Sequence, residues 1–168
     1  MDAPELHPDL EPIAFLLGHW EGAGVVGYPT MESANFGQEI IFGHTGKPFL
    51  TYRSRTWLLD DKGERIRPLA TETGYWRTQP NRRLEVLLAH PTGIVEIYLG
   101  EVVFHKIELR TDVVARTGSA KEYTAGHRLY GLVNGNLMYA YDMAAMGKPL
   151  QSHASAELKK VADFTPED

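Results

Sequence analysis

The sequence predicts an all-β fold, an antiparallel up-and-down barrel of about ten strands with one short N-terminal helix. Three observations carry this. Strand-like runs succeed one another from residue 35 to residue 161, joined by short turns rich in Gly, Pro, Asn and Asp. No helix-length segment lies between them, which argues against βαβ units. The only helix-periodic stretch comes first and leads into a glycine-rich segment around a single tryptophan. Closing the strands into a barrel would remove unpaired edges and leave an interior lined by alternate residues.

Each element has its own signal. Leu10, Ile13, Ala14, Leu16 and Leu17 recur at near-helical spacing, with Asp9 as candidate N-cap and Gly18 as stop, so a helix is expected over 9–18. It is too short to stand alone and has to pack, most simply across a barrel mouth. Next comes Gly18-His19-Trp20-Glu21-Gly22-Ala23-Gly24, where three glycines isolate Trp20 as the one large side chain. Glycine is used where the backbone bends or approaches something closely, so Trp20 is expected to plug one end of the barrel.

Strands are expected over 35–44, 49–59, 70–78, 84–90, 94–99, 102–111, 113–117, 121–133, 137–146 and 151–161. The turns between them carry Gly46-Lys47-Pro48, Asp60-Asp61-Lys62-Gly63, Gln79-Pro80-Asn81, Pro91-Thr92-Gly93, Asn134-Gly135 and Gly147-Lys148-Pro149. The expected organisation is a flexible lead-in over 1–8, one barrel domain over 9–161 and a polar tail over 162–168.

Composition narrows the function. With 168 residues the chain is one domain, large enough for a core or an internal cavity. A net charge of -5 argues against nucleic acid or an anionic membrane as partner. There are no cysteines, which removes disulfides, thiolate ligands, Cys nucleophiles and covalent c-type haem attachment. The acidic, Pro-rich start is unlike a signal peptide, and no apolar run approaches the roughly 18 residues of a membrane span. The expectation is a cytoplasmic protein with no membrane partner.

The seven histidines are scattered at 7, 19, 44, 90, 105, 127 and 153, without the local spacing of a zinc site. There is no Gly-x-Ser-x-Gly elbow and no P-loop. His153 stands in Ser152-His153-Ala154-Ser155-Ala156, where small neighbours leave room for a flat group against the imidazole. A packed or exposed strand histidine is the plainer reading of the same residues. Tyr28-Pro29-Thr30 reads equally as a corner with a capping threonine. Tyr52, Trp57, Tyr75, Trp76, Tyr139 and Tyr141 read as barrel wall. Met138, Met143 and Met146 are candidates for an apolar pocket.

In combination these fragments resemble the nitrobindin family. Gly18-His19-Trp20-Glu21-Gly22-Ala23-Gly24 fits its Gly-x-Trp-x-Gly-x-Gly signature. Tyr28-Pro29-Thr30, Phe42-x-His44-x-Gly46-Lys47-Pro48, Glu72-x-Gly74-Tyr75, Ala89-His90-Pro91-Thr92-Gly93-Ile94-Val95-Glu96, Ala120-Lys121-Glu122 and Pro149-Leu150-Gln151-x-His153 follow in the family's order. The resemblance covers residues 10 to 161. It implies a barrel similar to fatty-acid-binding proteins that holds a ferric b-type haem, with His153 as axial iron ligand. It implies isomerisation of peroxynitrite to nitrate, binding of nitric oxide, and a homodimer. It places Thr30 near the haem and Lys121 as a haem or propionate contact. The chain departs from the family at Met143-Ala144-Ala145-Met146-Gly147-Lys148, where relatives often carry threonines, and this could alter the haem rim. The alternative is a carrier of fatty acid or another small apolar ligand, its carboxylate held by interior Arg and Tyr.

Overall fold

The structure, a computed structural model, describes residues 3–166. The lead-in and tail expected at the two ends therefore fall partly outside the described residues. Ten antiparallel strands close into one barrel, each paired with its sequence neighbours and β1 with β10. They are β1 (Gly18–Tyr28), β2 (Met31–His44), β3 (Phe49–Leu59), β4 (Arg65–Gln79), β5 (Arg83–His90), β6 (Ile94–Val103), β7 (Lys106–Arg116), β8 (Tyr123–Val133), β9 (Asn136–Ala145) and β10 (Gln151–Ala162). A 3₁₀ helix, Pro8–Leu16, precedes them.

The expected count of ten is met by a different division. Residues 18–28 form a full strand, whereas the run expected over 102–111 spans the end of β6 and the turn at Phe104-His105, and its remainder joins most of 113–117 in the single strand β7. The apparent break in β7 is a bulge. Tyr98 pairs with Thr111 but Ile97 with Val113, so Asp112 is extra and the alternation changes phase. β4 begins at Arg65 rather than Ala70 because a register shift between Thr56 and Trp57 accommodates Pro68, which has no N–H for the ladder. Where the turn chemistry is strong the boundaries hold. Asn134 (φ 53°) and Gly135 (φ 80°) form the two-residue turn between β8 and β9.

The N-terminal element starts one residue earlier than expected, capped by His7 rather than Asp9, and ends at Leu16. Pro12 inside it removes a donor, and the bonds Leu10 N–H to His7 O and Leu17 N–H to Ala14 O mark its tight winding. Gly18 does not stop a helix; it opens β1 at φ 129°. Leu10, Ile13 and Leu16 are fully buried in the barrel core, each contributing roughly 2 kcal/mol, and this packing holds a helix that its own hydrogen bonds would not.

Trp20 is buried at this end, and its Nε1–H donates to Leu16 O at 2.8 Å. Gly22 and Gly24, on the same face of β1, are required by the closure. A Cβ at either would collide with the backbone oxygen of Glu157 or Ser155 in β10. Above the plug lies an aromatic layer, with Trp76 set edge-on to Phe42 and Tyr130 at 5.2 Å. The opposite end, bordered by the β1–β2, β3–β4, β5–β6, β7–β8 and β9–β10 connections, holds the site. Among the described residues no helix is long and apolar enough to cross a membrane.

Candidate functional site: a histidine-bearing pocket at the barrel mouth

A cavity of about 270 Å³ opens at this end, with Val26, Met31, Phe36, Leu69 and Ala154 as apolar wall and His153 as its one histidine. Strict alternation along β10 turns Ala156 and Leu158 inward and would leave His153 outside. A bulge reverses this. Ser152 pairs with Asp142 but Ala154 with Tyr141, so His153 is the extra residue and joins Ala154 in lining the cavity.

The imidazole is held on three sides. Its Nδ1 lies 3.0 Å from the carbonyl oxygen of Gly27 in β1. A carbonyl only accepts, so Nδ1 carries the proton and Nε2 keeps its lone pair. Tyr28 and Tyr141 meet the ring edge-on, with centroids 5.8 and 5.5 Å away. Tyr28 is itself fixed, receiving Ala145 N–H at 3.1 Å and donating to Met143 O at 3.0 Å. Burial lowers the His153 pKa, opposed by the Gly27 carbonyl and assisted by the positive charge of Arg128. The result is a neutral imidazole in a fixed tautomer.

The cavity is also lined by Gln38, Tyr52, Ser54, Glu72 and Arg128, and the last two form the centre of a polar network. Arg128 grips Glu72 with two bonds, at 2.6 and 3.1 Å, and Tyr52 donates to the same carboxylate at 2.5 Å. Burial opposes the Glu72 charge, but Arg128, His90 and Tyr52 outweigh it and hold its pKa down at about 2. Arg128 Nε–H also donates to Tyr98, at 3.1 Å. A second branch passes from Tyr141 to Tyr123 at 2.9 Å, from Tyr123 to Glu96 at 2.7 Å, and from Glu96 to the part-buried His90 at 2.6 Å. Gly126 makes this convergence possible, since a Cβ there would strike the hydroxyls of Tyr98 and Tyr123. The buried Glu96 and the part-buried Glu72 thus stand against Arg128 and His90.

The sequence singled out His153, and the structure places it in the pocket. Thr30 is exposed in the β1–β2 turn and Lys121 is exposed in the β7–β8 connection, both at the same mouth but outside the cavity lining. Gly18, Trp20, Gly22 and Gly24 lie toward the plugged end and shape the barrel rather than the pocket. Met143 and Met146 pack with Tyr28, Tyr123 and Ala145 beside the histidine, whereas Met138 is exposed. Tyr141 and Tyr139, read as wall, also line the cavity, and Met31 joins them. Glu72 and Arg128 went unnoticed as a pair. Alternation with Trp76 and Tyr130 turns each inward, but nothing local couples residues 56 positions apart.

The donor set suits a porphyrin iron. It offers one neutral imidazole nitrogen with its partner nitrogen anchored, an apolar wall, and no cysteine or second histidine. Barrel and pocket together define a β-barrel protein with a histidine-bearing ligand site. The comparisons give the family: residues 9–160 match the THAP4-like, heme-binding beta-barrel domain, and the chain belongs to this nitrobindin family. It is 55% identical over 153 residues, 91% of this chain and 93% of the relative, to a protein of Nocardioides sp. named peroxynitrite isomerase. It is 51% identical over 166 residues, 98% of this chain and 86% of the relative, to a ferric nitrobindin-like protein of Streptomyces griseus. Among solved structures it is similar to Rv2717c from M. tuberculosis, with TM-score 0.84 and 39% identity over 93% of this chain and 99% of that one.

Proposed function

We propose that this chain is a haem-dependent peroxynitrite isomerase, with a ferric b-type haem held by His153 Nε2, and that it also binds nitric oxide. The observation that carries the reading is the His153–Gly27 contact, which fixes the tautomer and leaves Nε2 free in an apolar-walled cavity. The names of the relatives from Nocardioides and Streptomyces griseus support the reaction and the ferric state.

When bound, the haem supplies a ferric Lewis acid for rearranging peroxynitrite to nitrate. The chain's residues prepare the place for it. Gly27 O orients the imidazole and raises its donor strength, while Tyr28 and Tyr141 fix the ring plane. Val26, Phe36 and Leu69 keep the porphyrin slot apolar. We assign Thr30 to the haem rim and Lys121 to a haem propionate, both being exposed at the mouth that His153 serves. The reading includes a cytoplasmic homodimer. Val95, Leu99 and Val113 are exposed on β6 and β7 and offer an apolar face for a second copy.

The carrier reading is less well supported. The interior Arg128 is already neutralised by Glu72, so no free cation waits for a fatty-acid carboxylate. The test is titration of purified protein with ferric haem, followed by stopped-flow decay of peroxynitrite, beside His153→Ala. The expected result is a saturating Soret shift near one haem per chain and faster decay to nitrate, both lost in the variant. Equal, nonspecific haem uptake by the two proteins would overturn the assignment.

A further inference from the structure

We propose that Tyr141 is an electron donor to one-electron oxidants that enter the His153 pocket, and that Tyr123 and Glu96 carry its proton away. The oxidant class is nitrogen dioxide, which forms together with hydroxyl radical when peroxynitrous acid breaks its O–O bond. It is small and uncharged, and the apolar wall of the pocket admits it. The proposal rests on the isomerase reading only for this source of oxidant; the relay itself belongs to the protein.

The geometry supplies each part. Tyr141 lines the cavity and its hydroxyl donates to Tyr123 at 2.9 Å. Tyr123 donates to Glu96 Oε1 at 2.7 Å, and Glu96 Oε2 meets His90 Nε2 at 2.6 Å. Burial opposes the charge on Glu96, but His90, Arg128 and Tyr123 lower its pKa, so the terminal group is a carboxylate ready to accept a proton. Arg128 lies 4.3 Å above the Tyr141 ring. A cation at that face opposes a positively charged ring, so an electron leaves only if the phenolic proton leaves with it. Tyr141 is the pocket-lining tyrosine whose hydroxyl opens onto that route.

The step balances. Nitrogen dioxide takes one electron and becomes nitrite, and Tyr141 becomes a neutral phenoxyl radical. Its proton shifts to the Tyr123 oxygen as the Tyr123 proton passes to Glu96. A second nitrogen dioxide forms a C–N bond at the ring carbon ortho to the phenoxyl oxygen. That carbon's proton then moves to the former phenoxyl oxygen, which restores aromaticity and leaves 3-nitrotyrosine as a permanent record.

The record can be read by exposing the chain to peroxynitrite, with and without haem, and mapping nitrated residues by mass spectrometry. Tyr75 is 50% exposed and is the natural target if accessibility alone decides. The expected result is nitration chiefly at Tyr141. In Glu96→Gln and, separately, in Tyr123→Phe, label at Tyr141 is lost and Tyr75 becomes the main site, while Glu96→Asp restores the Tyr141 signal. Circular dichroism checks that each barrel is folded, and Tyr123→Phe keeps the ring packing should Glu96→Gln fail to fold. Preferential nitration of Tyr75 in the unmodified chain, or undiminished Tyr141 label in a folded relay variant, would overturn the proposal. Haem-free protein gives this result independently, so failure of haem binding and failure of the relay are separate outcomes.

Discussion

His153 Nδ1 lies 3.0 Å from the Gly27 carbonyl oxygen, across the seam where β10 closes on β1. The bond joins residues 126 positions apart, so the pocket's single imidazole is oriented only once the barrel is shut. It also determines which nitrogen faces the cavity.

Removing that imidazole should leave a hole of its own shape. In His153→Ala the Tyr28 and Tyr141 edges and the Gly27 carbonyl remain, so free imidazole should enter and restore a haem Soret band. A haem titration of the variant with and without millimolar imidazole checks this. No recovery in a folded variant would mean that the side chain does more than ligate.

Arg128 and Glu72 should be far more costly to separate than to replace together. Arg128→Met leaves a part-buried carboxylate without its main partner and is expected to destabilise the barrel by about 3 kcal/mol. Adding Glu72→Met should recover much of that loss, because no isolated charge remains. Guanidinium unfolding of the single and double variants measures the difference.

Glu72 also sets an acid limit. Its pKa falls from 4.5 to about 2 on folding, so the unfolded chain takes up the proton first as pH drops. This contribution, on the order of 3 kcal/mol, is complete above pH 4.5 and is lost progressively between pH 4.5 and 2. Denaturation midpoints across this window should fall more steeply for the unmodified protein than for Glu72→Gln.

Gly24→Ala should loosen the seam. The added methyl meets the Ser155 backbone oxygen and Ala156, which move only by shifting β10. Overpacking of this kind costs about 1–3 kcal/mol. Because His153 lies on the same strand, haem affinity should fall along with thermal stability, as a melt and a titration would show.

Much of this was legible in the sequence. The turns at Asn134-Gly135 and Pro91-Thr92-Gly93 are local signals, and they hold. Trp20 as a plug was likewise readable from its glycine neighbours. The strand at 18–28 was hidden by those glycines, whose purpose is closeness to β10 rather than bending. The bulge at Asp112 looked like a break because alternation is the only strand signal a sequence carries.

The sequence alone determined an all-β barrel, its closed end, and His153 as the residue to watch, the last through resemblance to a family. Tertiary structure decided that His153 points inward, because a bulge against β9 overrides the period-two rule. It also decided that Glu72 meets Arg128 and that Tyr141 reaches Glu96 through Tyr123. The reason is physical. Strand periodicity and turn chemistry act over a few neighbouring residues. Which inward side chains converge depends on register summed around ten strands, and that becomes fixed only when β1 and β10 pair.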